Sequence, residues 1–183
     1  LQLAMLRKSP EIDELKDDVD EMEKMIEGYL TFARGEGDEE AIETDLSAVI
    51  NDVVAQWKRN GATVDAHVEG RLDAWCRPNA IKRCLDNLIA NANRYGTHVW
   101  IRAGKREDVT EIAIDDDGPG VEKSAREAVF RPFYRLDQSR NTETGATGLG
   151  LAIARDIARA HGGDIHLKTS PHGGLRVLVR LPL

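Results

Sequence analysis

The chain has 183 residues, of which 41% are hydrophobic and 31% are charged, and its formal net charge is −7. This length suits one domain with an additional segment, and the acidic balance argues against a general nucleic-acid-binding protein, which carries a surplus of basic residues. Polar residues interrupt the longer apolar stretches, such as 85–92, so the sequence predicts no membrane span and shows no signal peptide.

Charge is distributed unevenly along the chain. Residues 11–45 hold 15 acidic and 3 basic groups, whereas residues 46–183 hold 17 acidic and 20 basic groups. A shift of this size predicts two units, and two glycines end a helical pattern near residues 34–40. We therefore expect a helical unit over residues 1–40 and a second unit over residues 41–183.

The first unit has the pattern of a helix, a turn and a second helix, and it is already helical at Leu1, as expected for a fragment of a longer protein. Ser9-Pro10 is a helix start signal. The apolar residues that follow have the alternating three- and four-residue spacing of a coiled-coil seam. They are Ile12, Leu15, Val19, Met22, Ile26, Tyr29 and Ala33. Because the opposite face is nearly all Asp and Glu, we favour a dimerising hairpin over a coiled-coil stalk or a single amphipathic helix packed on its own domain.

The second unit alternates between strand and helix patterns. Helical spacing predicts helices over residues 46–58, 78–95 and 148–161. Alternating apolar residues and short β-rich runs predict strands over residues 63–68, 71–75, 99–103, 109–115, 165–167 and 175–181. This order predicts a mixed α/β domain in which helices cover one face of the sheet.

Three features of the second unit predict a ligand-binding site. The first is a polar stripe on the 78–95 helix. Asn87, Asn91, Arg94 and Tyr95 recur at helical spacing, about a third of a turn from the apolar stripe. Asn is a poor helix former, its amide oxygen is a good ligand for hard cations, and Arg is a good phosphate ligand. The stripe predicts a site for a cation and a phosphate group, with a solvated polar face as the alternative.

The second feature is the run Asp-Asp-Asp-Gly-Pro-Gly at positions 115–120. Alternation along the preceding strand places Asp116 on the same face as two isoleucines, toward the expected core. A buried carboxylate is costly unless it accepts hydrogen bonds, and a ligand amino group would supply one. Gly118 and Gly120 would let the backbone approach that ligand closely. An acidic turn and an acidic metal site are the alternatives.

The third feature is the glycine-rich run 145–151, directly ahead of the last helix. A glycine-rich loop that enters a helix N-terminus can bind phosphate through backbone N–H groups. The run lacks the Gly-Lys-Ser/Thr of a Walker P-loop, and no strand precedes it as in a Rossmann fold. The polar segment before it includes Arg135 and Arg140 and predicts a mobile lid over a charged ligand, with a flexible hinge as the alternative.

Other chemistries find little support in the sequence. It contains no Gly-x-Ser-x-Gly elbow, and no pair of histidines has metal-ligand spacing with a cysteine. Cys76 and Cys84 are expected to be small core residues, and two cysteines fit a reducing compartment. His98 is expected to be solvated and His161 to lie at a helix end.

In their order, these elements resemble the ATP-binding catalytic domain of bacterial sensor histidine kinases, within the gyrase, Hsp90, kinase and MutL ATPase superfamily, and in particular osmosensor kinases of the EnvZ type. The motifs that carry the resemblance are the N box at 86–95, the G1 box at 116–120, the F box at 130–133 and the G2 box at 148–150. The acidic helix before them resembles the second helix of that family's dimerisation and phosphotransfer hairpin.

The resemblance implies a two-layer α/β sandwich that binds ATP and Mg²⁺. Asn91 would coordinate Mg²⁺ that bridges the ATP phosphates, with Asn87 beside it. Arg94 would meet the phosphates, and Tyr95 would line the nucleotide site. Asp116 would accept a hydrogen bond from the adenine amino group.

The same resemblance implies further positions for the ATP site. Gly118 and Gly120 would bracket the adenine, and Phe133 would anchor the lid. The remaining positions are Arg140, Thr147, Gly148, Leu149 and Gly150, of which the two glycines would hold phosphates at the start of the helix. The resemblance implies no acceptor or base within this chain.

The sequence departs from the family in two ways. None of its five histidines has the sequence context of the family's phosphorylated histidine, so we expect the chain to bind ATP without phosphorylating itself at the usual site. Ala146 stands where many relatives have glycine, which puts the flexibility of the lid in doubt.

The resemblance implies the cytoplasmic catalytic part of a bacterial inner-membrane sensor kinase, which transfers the ATP γ-phosphoryl group to a protein histidine for relay to the receiver domain of a response regulator. It implies a homodimer formed through the helical unit, without nucleic acid and without direct membrane contact. A non-catalytic nucleotide-sensing dimer scaffold is the alternative function. An ATPase of the chaperone or gyrase branch, which would carry a large transducer domain, is a third.

Overall fold

The structure is a computed structural model that describes residues 39–136 and 148–182. The expected helical unit over residues 1–40, with its apolar seam, lies outside the described residues except for its last two positions. Arg140, Ala146 and Thr147 also lie outside them.

The described residues form seven strands, three α-helices and two short 3₁₀ turns. The strands are β1 (Ile42–Asp45), β2 (Val64–Val68), β3 (Asp73–Cys76), β4 (Val99–Arg106), β5 (Val109–Asp116), β6 (Asp164–Thr169) and β7 (Leu175–Pro182). The helices are α1 (Leu46–Arg59), α2 (Pro78–Tyr95) and α3 (Gly150–Ala160). The 3₁₀ turns, Lys123–Ala125 and Ala128–Phe130, lie between β5 and α3.

The main sheet has five strands in the order β2-β4-β5-β7-β6, and β1 and β3 form a separate antiparallel ribbon. Strand β2 runs parallel to β4, and the other neighbours in the main sheet are antiparallel. Asp115 pairs with Arg176 in this register, so the end of β5 and the start of β7 meet at one end of the sheet. This end carries the candidate site.

The core lies between one face of the main sheet and the helices. Ile101, Ile112 and Ile114 of the central strands are almost fully buried, as are Leu85 and Leu88 of α2. The whole predicted apolar stripe of α2 is buried. The fold is therefore the two-layer α/β sandwich that the resemblance implied, with the predicted mixed sheet and its covering helices.

Helix α2 begins with Pro78 in its first turn, as predicted, but the residue before it provides no side-chain cap. Glu39 supplies the cap instead, because its carboxylate accepts hydrogen bonds from the backbone N–H groups of Asn79 at 2.8 Å and Ala80 at 3.1 Å. A carboxylate at this position also interacts favourably with the helix dipole. Sequence analysis missed this contact, which joins residues 40 positions apart.

Several elements differ from their predicted bounds. Strand β4 continues three residues further than predicted, to Arg106, and β6 covers Asp164–Thr169 where only 165–167 was predicted. Strand β1 was not predicted, because its four residues are too few and too polar for a clear pattern, and it forms by pairing with β3. Strand β3 begins two residues later than expected, at Asp73. Helix α3 begins at Gly150, two residues late, because Gly148 has a φ of +68° and a residue in that conformation cannot continue a right-handed helix.

Within the described ranges, no helix is long and apolar enough to cross a membrane.

Candidate functional site

A cavity of about 460 Å³ opens where α2, the end of β5, the start of α3 and the start of β7 meet. Its polar lining residues are Asn87, Asn91, Arg94, Tyr95 and Asp116, together with Glu122, Tyr134 and Arg135. The polar stripe predicted on α2 and the carboxylate predicted at the end of β5 therefore border one cavity, although they come from separate segments of the chain.

Two asparagines of α2, Asn87 and Asn91, line the cavity with their side-chain amides. Asn87 donates from Nδ2 to the carbonyl oxygen of Arg83 at 2.9 Å, which orients its Oδ1 toward the start of α3, where a Cβ on Gly150 would lie 3.4 Å away. Asn91, one turn further along, lines the cavity beside Arg94. Amide oxygens are available at both positions for a cation or for a hydrated phosphate group.

Asp116 is the buried carboxylate of the cavity, with 3% of its surface exposed. The backbone N–H groups of Gly118 and Leu175 both donate to its Oδ1, at 2.9 and 3.0 Å. No donor from the described part of the chain reaches Oδ2, so this oxygen can accept a hydrogen bond from a ligand. Burial raises the pKa of Asp116, the two amide donors oppose that rise, and the nearby carboxylates of Asp117 and Asp115 add to it.

The glycines after Asp116 allow close backbone packing. A Cβ on Gly118 would lie 2.6 Å from the carbonyl oxygen of Tyr95, and Gly120 has a φ of +71° beside the backbone of Gly174. Gly120 lines the cavity, whereas Gly118 packs behind it against the end of α2. Gly120 can therefore contact a ligand in the cavity. Gly118 does not line the cavity, and its N–H donates to Asp116 instead.

The start of α3 supplies the opposite side of the cavity. Gly148 and Gly150 line it, whereas Leu149 turns into the core and is 1% exposed. Phe133 donates its backbone N–H to the carbonyl oxygen of Gly148 at 3.0 Å, and a Cβ on Gly148 would lie 2.9 Å from the carbonyl carbon of Phe133. Backbone contact therefore joins Phe133 directly to Gly148.

The expected role of Phe133 in anchoring the lid stays a prediction, because residues 137–147 lie outside the described part of the chain. Half of the surface of Phe133 is exposed, and the residue does not line the cavity. Phe130 is the buried aromatic residue of this motif, and the guanidinium carbon of Arg155 lies 4.2 Å from the centre of its ring. The difference arises because Phe130 lies in a 3₁₀ turn packed on α3, while Phe133 has a φ of +64° that turns its side chain outward.

The apolar wall of the cavity was missed by sequence analysis. It includes Val121, Ala125, Val129, Leu151 and Leu175. Val121, Ala125 and Val129 belong to no motif, Leu151 ends the glycine-rich run 145–151, and only the alternation along β7 indicated that Leu175 points inward. A flat ring with a polar edge would match this combination of an apolar wall and a single buried carboxylate.

A metal ion would find few protein ligands here. The described residues contain no group of three or more His, Cys, Asp and Glu side chains that could hold a metal ion. On the α2 side of the cavity the oxygen donors are the neutral amides of Asn87 and Asn91, which fit Mg²⁺ if a bound phosphate supplies further oxygens.

The cysteines and histidines lie away from this cavity. Cys76 and Cys84 are buried, as predicted, and neither forms a disulfide within the described residues. Burial raises the pKa of the Cys76 thiol. His161 ends α3, also as predicted. His98 is partly solvated, with 28% of its side chain exposed, and it makes two contacts that the sequence did not predict: its ring stacks on that of Trp100, and its Nε2 lies 2.9 Å from Asp65 Oδ2. No histidine is among the lining residues.

Comparison with known proteins gives one consistent result. The sequence pattern of the family described as histidine kinase-, DNA gyrase B-, and HSP90-like ATPase matches residues 76–183. Sensor histidine kinase CpxA of Escherichia coli (strain K12) is 33% identical over 196 residues, an alignment that covers 100% of this chain and 43% of CpxA. The chain thus spans less than half the length of this curated relative.

Solved structures agree with this assignment. The crystal structure of the ATP binding domain of PrrB from Mycobacterium tuberculosis aligns with a TM-score of 0.66 at 30% identity, covering 79% of this chain and 98% of that domain. The NMR structure of the histidine kinase domain of the E. coli osmosensor EnvZ aligns with a TM-score of 0.62 at 32% identity, covering 80% of this chain and 91% of that one. The chain therefore belongs to the histidine kinase-, DNA gyrase B- and HSP90-like ATPase family.

Proposed function

We propose that this domain binds ATP and presents its γ-phosphoryl group for transfer to a protein histidine. The observation that carries the proposal is the buried carboxylate of Asp116, whose Oδ1 is saturated by two backbone donors while Oδ2 can accept from a ligand. The 6-amino group of adenine is such a donor. The ring would lie against the apolar wall, with Gly120 and Tyr95 at its sides.

The phosphates would lie toward the start of α3. Backbone N–H groups at a helix N-terminus and the positive end of its dipole favour an anion, and Gly148 and Gly150 leave that backbone accessible. Arg94, on the same side of the cavity, would add a positive charge. Arg140, Thr147 and Leu149 remain expectations: the first two lie outside the described residues, and Leu149 would contribute through its backbone.

Mg²⁺ would be held by the amide oxygen of Asn91 together with phosphate oxygens, with Asn87 beside it. When bound, the ion would offset the negative charge of the phosphates. The protein's own contribution would be to orient the nucleotide and to hold the γ-phosphate at the open side of the cavity.

In the transfer itself, the bond between the γ-phosphorus and the β–γ bridging oxygen would break, ADP would leave, and a phosphorus–nitrogen bond to an imidazole would form. No histidine lines the cavity, so the acceptor would come from another segment or another chain. We propose that residues 1–40 form part of a dimerising phosphotransfer hairpin and residues 41–183 the catalytic domain. The phosphohistidine would pass its phosphoryl group to the receiver domain of a response regulator. This chain would belong to the cytoplasmic part of a membrane sensor kinase.

Calorimetric titration with ATP, with and without Mg²⁺, tests the nucleotide site. We expect saturable binding that Mg²⁺ strengthens, and a loss of about 10- to 100-fold in affinity in Asp116→Asn, because one hydrogen bond to a charged acceptor is replaced by a repulsion between donors. Asp108→Asn is the matched control, since Asp108 is an exposed aspartate in the turn between β4 and β5. Absence of ATP binding by the folded wild-type chain would contradict the proposal.

Transfer of a labelled γ-phosphate to an added helical hairpin that bears an acceptor histidine tests the reaction. Labelled hairpin is the expected product. ATP binding without labelling would favour the nucleotide-sensing scaffold, and steady hydrolysis without any acceptor would favour the chaperone and gyrase type of ATPase.

A further inference from the structure

We propose that Trp100 is a positioning residue for the adenine-binding carboxylate, acting from the opposite face of the sheet; this inference rests on the proposed function. The Trp100 ring lies between two histidine rings. His98 stacks on one face at a centroid distance of 4.1 Å and an angle of 5°, and His172 stacks on the other at 3.7 Å and 11°.

Trp100 itself does not touch the cavity. Its neighbours in sequence, Val99 and Ile101, are buried in the core, so alternation along β4 places the indole on the outer face of the sheet. Neither Trp100 nor its two histidine partners are among the residues that line the cavity. Any effect of the stack on a bound base must therefore pass through the segments that the stack holds.

One of these segments is the turn between β6 and β7, which carries His172. The turn is closed by hydrogen bonds from Ser170 N to Gly174 O at 2.9 Å and from His172 N to Ser170 Oγ at 3.1 Å. Gly174 packs so closely on Asp116 that a Cβ there would overlap Oδ1. The next residue, Leu175, donates its N–H to that same oxygen. The His172 ring thus fixes the turn that supplies one of the two donors to Asp116.

The other segment is the connection from α2 to β4, which carries His98. Asp117, the neighbour of Asp116, accepts hydrogen bonds from the Thr97 N–H at 2.7 Å, the Thr97 hydroxyl at 2.6 Å and the His98 N–H at 3.1 Å. The His98 ring is held from the far side by Asp65 at 2.9 Å. The backbone of His98 is therefore attached to the residue that follows Asp116.

The three stacked rings consequently connect both sides of the loop that follows β5. Removing the indole would leave His98 and His172 without their common partner. The β6–β7 turn and the α2–β4 connection would then be free to move relative to each other. Leu175, directly after the β6–β7 turn, donates to Asp116, and the α2–β4 connection holds the adjacent Asp117. Because both contacts help to place the Asp116 carboxylate, we expect weaker discrimination between a base that donates an amino group and one that presents a carbonyl oxygen.

The test is calorimetric titration of the full chain and its variants with ATP and with GTP. Trp100→Ala is expected to bind ATP about tenfold more weakly, with a smaller change for GTP, so that the ratio of the two affinities falls. Trp100→Phe keeps a ring between the histidines and is expected to restore the ratio. Trp75→Ala is the matched control, because Trp75 is 70% exposed on the β1–β3 ribbon.

Hydrogen exchange of the nucleotide-free chain gives a second readout. Trp100→Ala is expected to exchange the Gly118 and Leu175 amides faster than wild type, while the amides of α1 remain unchanged. His172→Ala, at an exposed turn position, is expected to act in the same direction and serves as the test if Trp100→Ala does not fold.

The outcomes separate this inference from the proposed function. If the wild type binds no ATP, both fail. If the wild type binds ATP while Trp100→Ala or His172→Ala retains its affinity, its selectivity and its exchange rates, this inference alone fails. A proportional loss of ATP and GTP binding with unchanged selectivity would also overturn it, because that is the effect of general destabilisation.

Discussion

Gly174 lies directly against the carboxylate of Asp116, so closely that a Cβ on Gly174 would overlap Oδ1. The carbonyl oxygen of Asp116 and the N–H of Gly118 would each lie 2.6 Å from that Cβ. Only a residue without a side chain lets the start of β7 approach in this way, and this approach allows Leu175 to donate to Asp116 from 59 positions further along the chain.

Gly174→Ala is therefore expected to weaken ATP binding by displacing Asp116. The clash involves backbone atoms and a carboxylate that is already hydrogen-bonded, so a side-chain rotation cannot relieve it, and such overpacking costs about 1–3 kcal/mol. Gly173→Ala is the control. Gly173 has a φ of +104° with open space around it, so its substitution should lower the free energy of unfolding without moving Asp116. Urea denaturation and ATP titration of both variants would distinguish the two effects. Equal ATP affinity in the two would contradict this interpretation.

The affinity for ATP should depend on pH through Asp116. Burial raises the pKa of this carboxyl, and its protonation replaces an acceptor with a hydroxyl. The affinity should therefore begin to fall, as pH is lowered, at a higher pH than an ordinary aspartate would give. ATP affinity measured across the acidic pH range in wild type and in Asp116→Asn would show this fall. The variant lacks the titrating carboxyl at position 116 and reports only the titration of ATP itself. Parallel profiles in the two proteins would rule out Asp116 as the titrating group.

The effect of Mg²⁺ on ATP binding should depend on Asn91. In Asn91→Ala, we expect the ratio of ATP affinities with and without Mg²⁺ to fall toward one, because the variant lacks the amide oxygen that would coordinate the ion. Asn93→Ala is a matched control on the same helix, since Asn93 is exposed and does not line the cavity. An unchanged ratio in Asn91→Ala would show that the ion is held without this residue.

The outer face of the sheet contains a buried ion pair that should matter for stability. Asp115 is fully buried and accepts hydrogen bonds from Arg176 Nε and a terminal nitrogen at 2.7 and 2.8 Å, with Arg102 at 3.5 Å. Asp115→Ala would leave these cations without their partner, and we expect it to lower the free energy of unfolding by about 3 kcal/mol or more.

The control for Asp115 is Glu69, whose carboxylate pairs with Arg106 at 2.7 Å with both side chains about half exposed. Glu69→Ala should change the free energy of unfolding little, because solvent screens an exposed pair. Urea denaturation of the two variants measures the difference. If both variants lose a similar free energy of unfolding, burial does not increase the contribution of the Asp115 ion pair to stability.

Local patterns in the sequence were sufficient to predict the polar residues of α2 and β5 that line the cavity. The helical period placed Asn87, Asn91, Arg94 and Tyr95 on one side of α2, and strand alternation placed Asp116 on the buried face of β5. Both arrangements follow from backbone geometry within a single element, so no knowledge of the rest of the chain was required.

Contacts between distant segments could not be predicted in this way. The cap on α2 by Glu39, the strand β1, the apolar wall and the outward turn of Phe133 all depend on which surfaces meet after folding. The contact of His98 with Asp65 was missed for the same reason, since the pairing of β2 with β4 brings Asp65 to this edge of β4.

The sequence by itself determined the order of the elements apart from β1, the buried side of α2 and β5, and the polar residues of these two elements that border the cavity, because these depend on local spacing and backbone conformation. Only the tertiary structure decided that the turn of Gly174 closes on Asp116 and that Trp100 is enclosed by two histidines. These contacts arise from the strand order β2-β4-β5-β7-β6, which joins segments far apart in the chain through long-range packing.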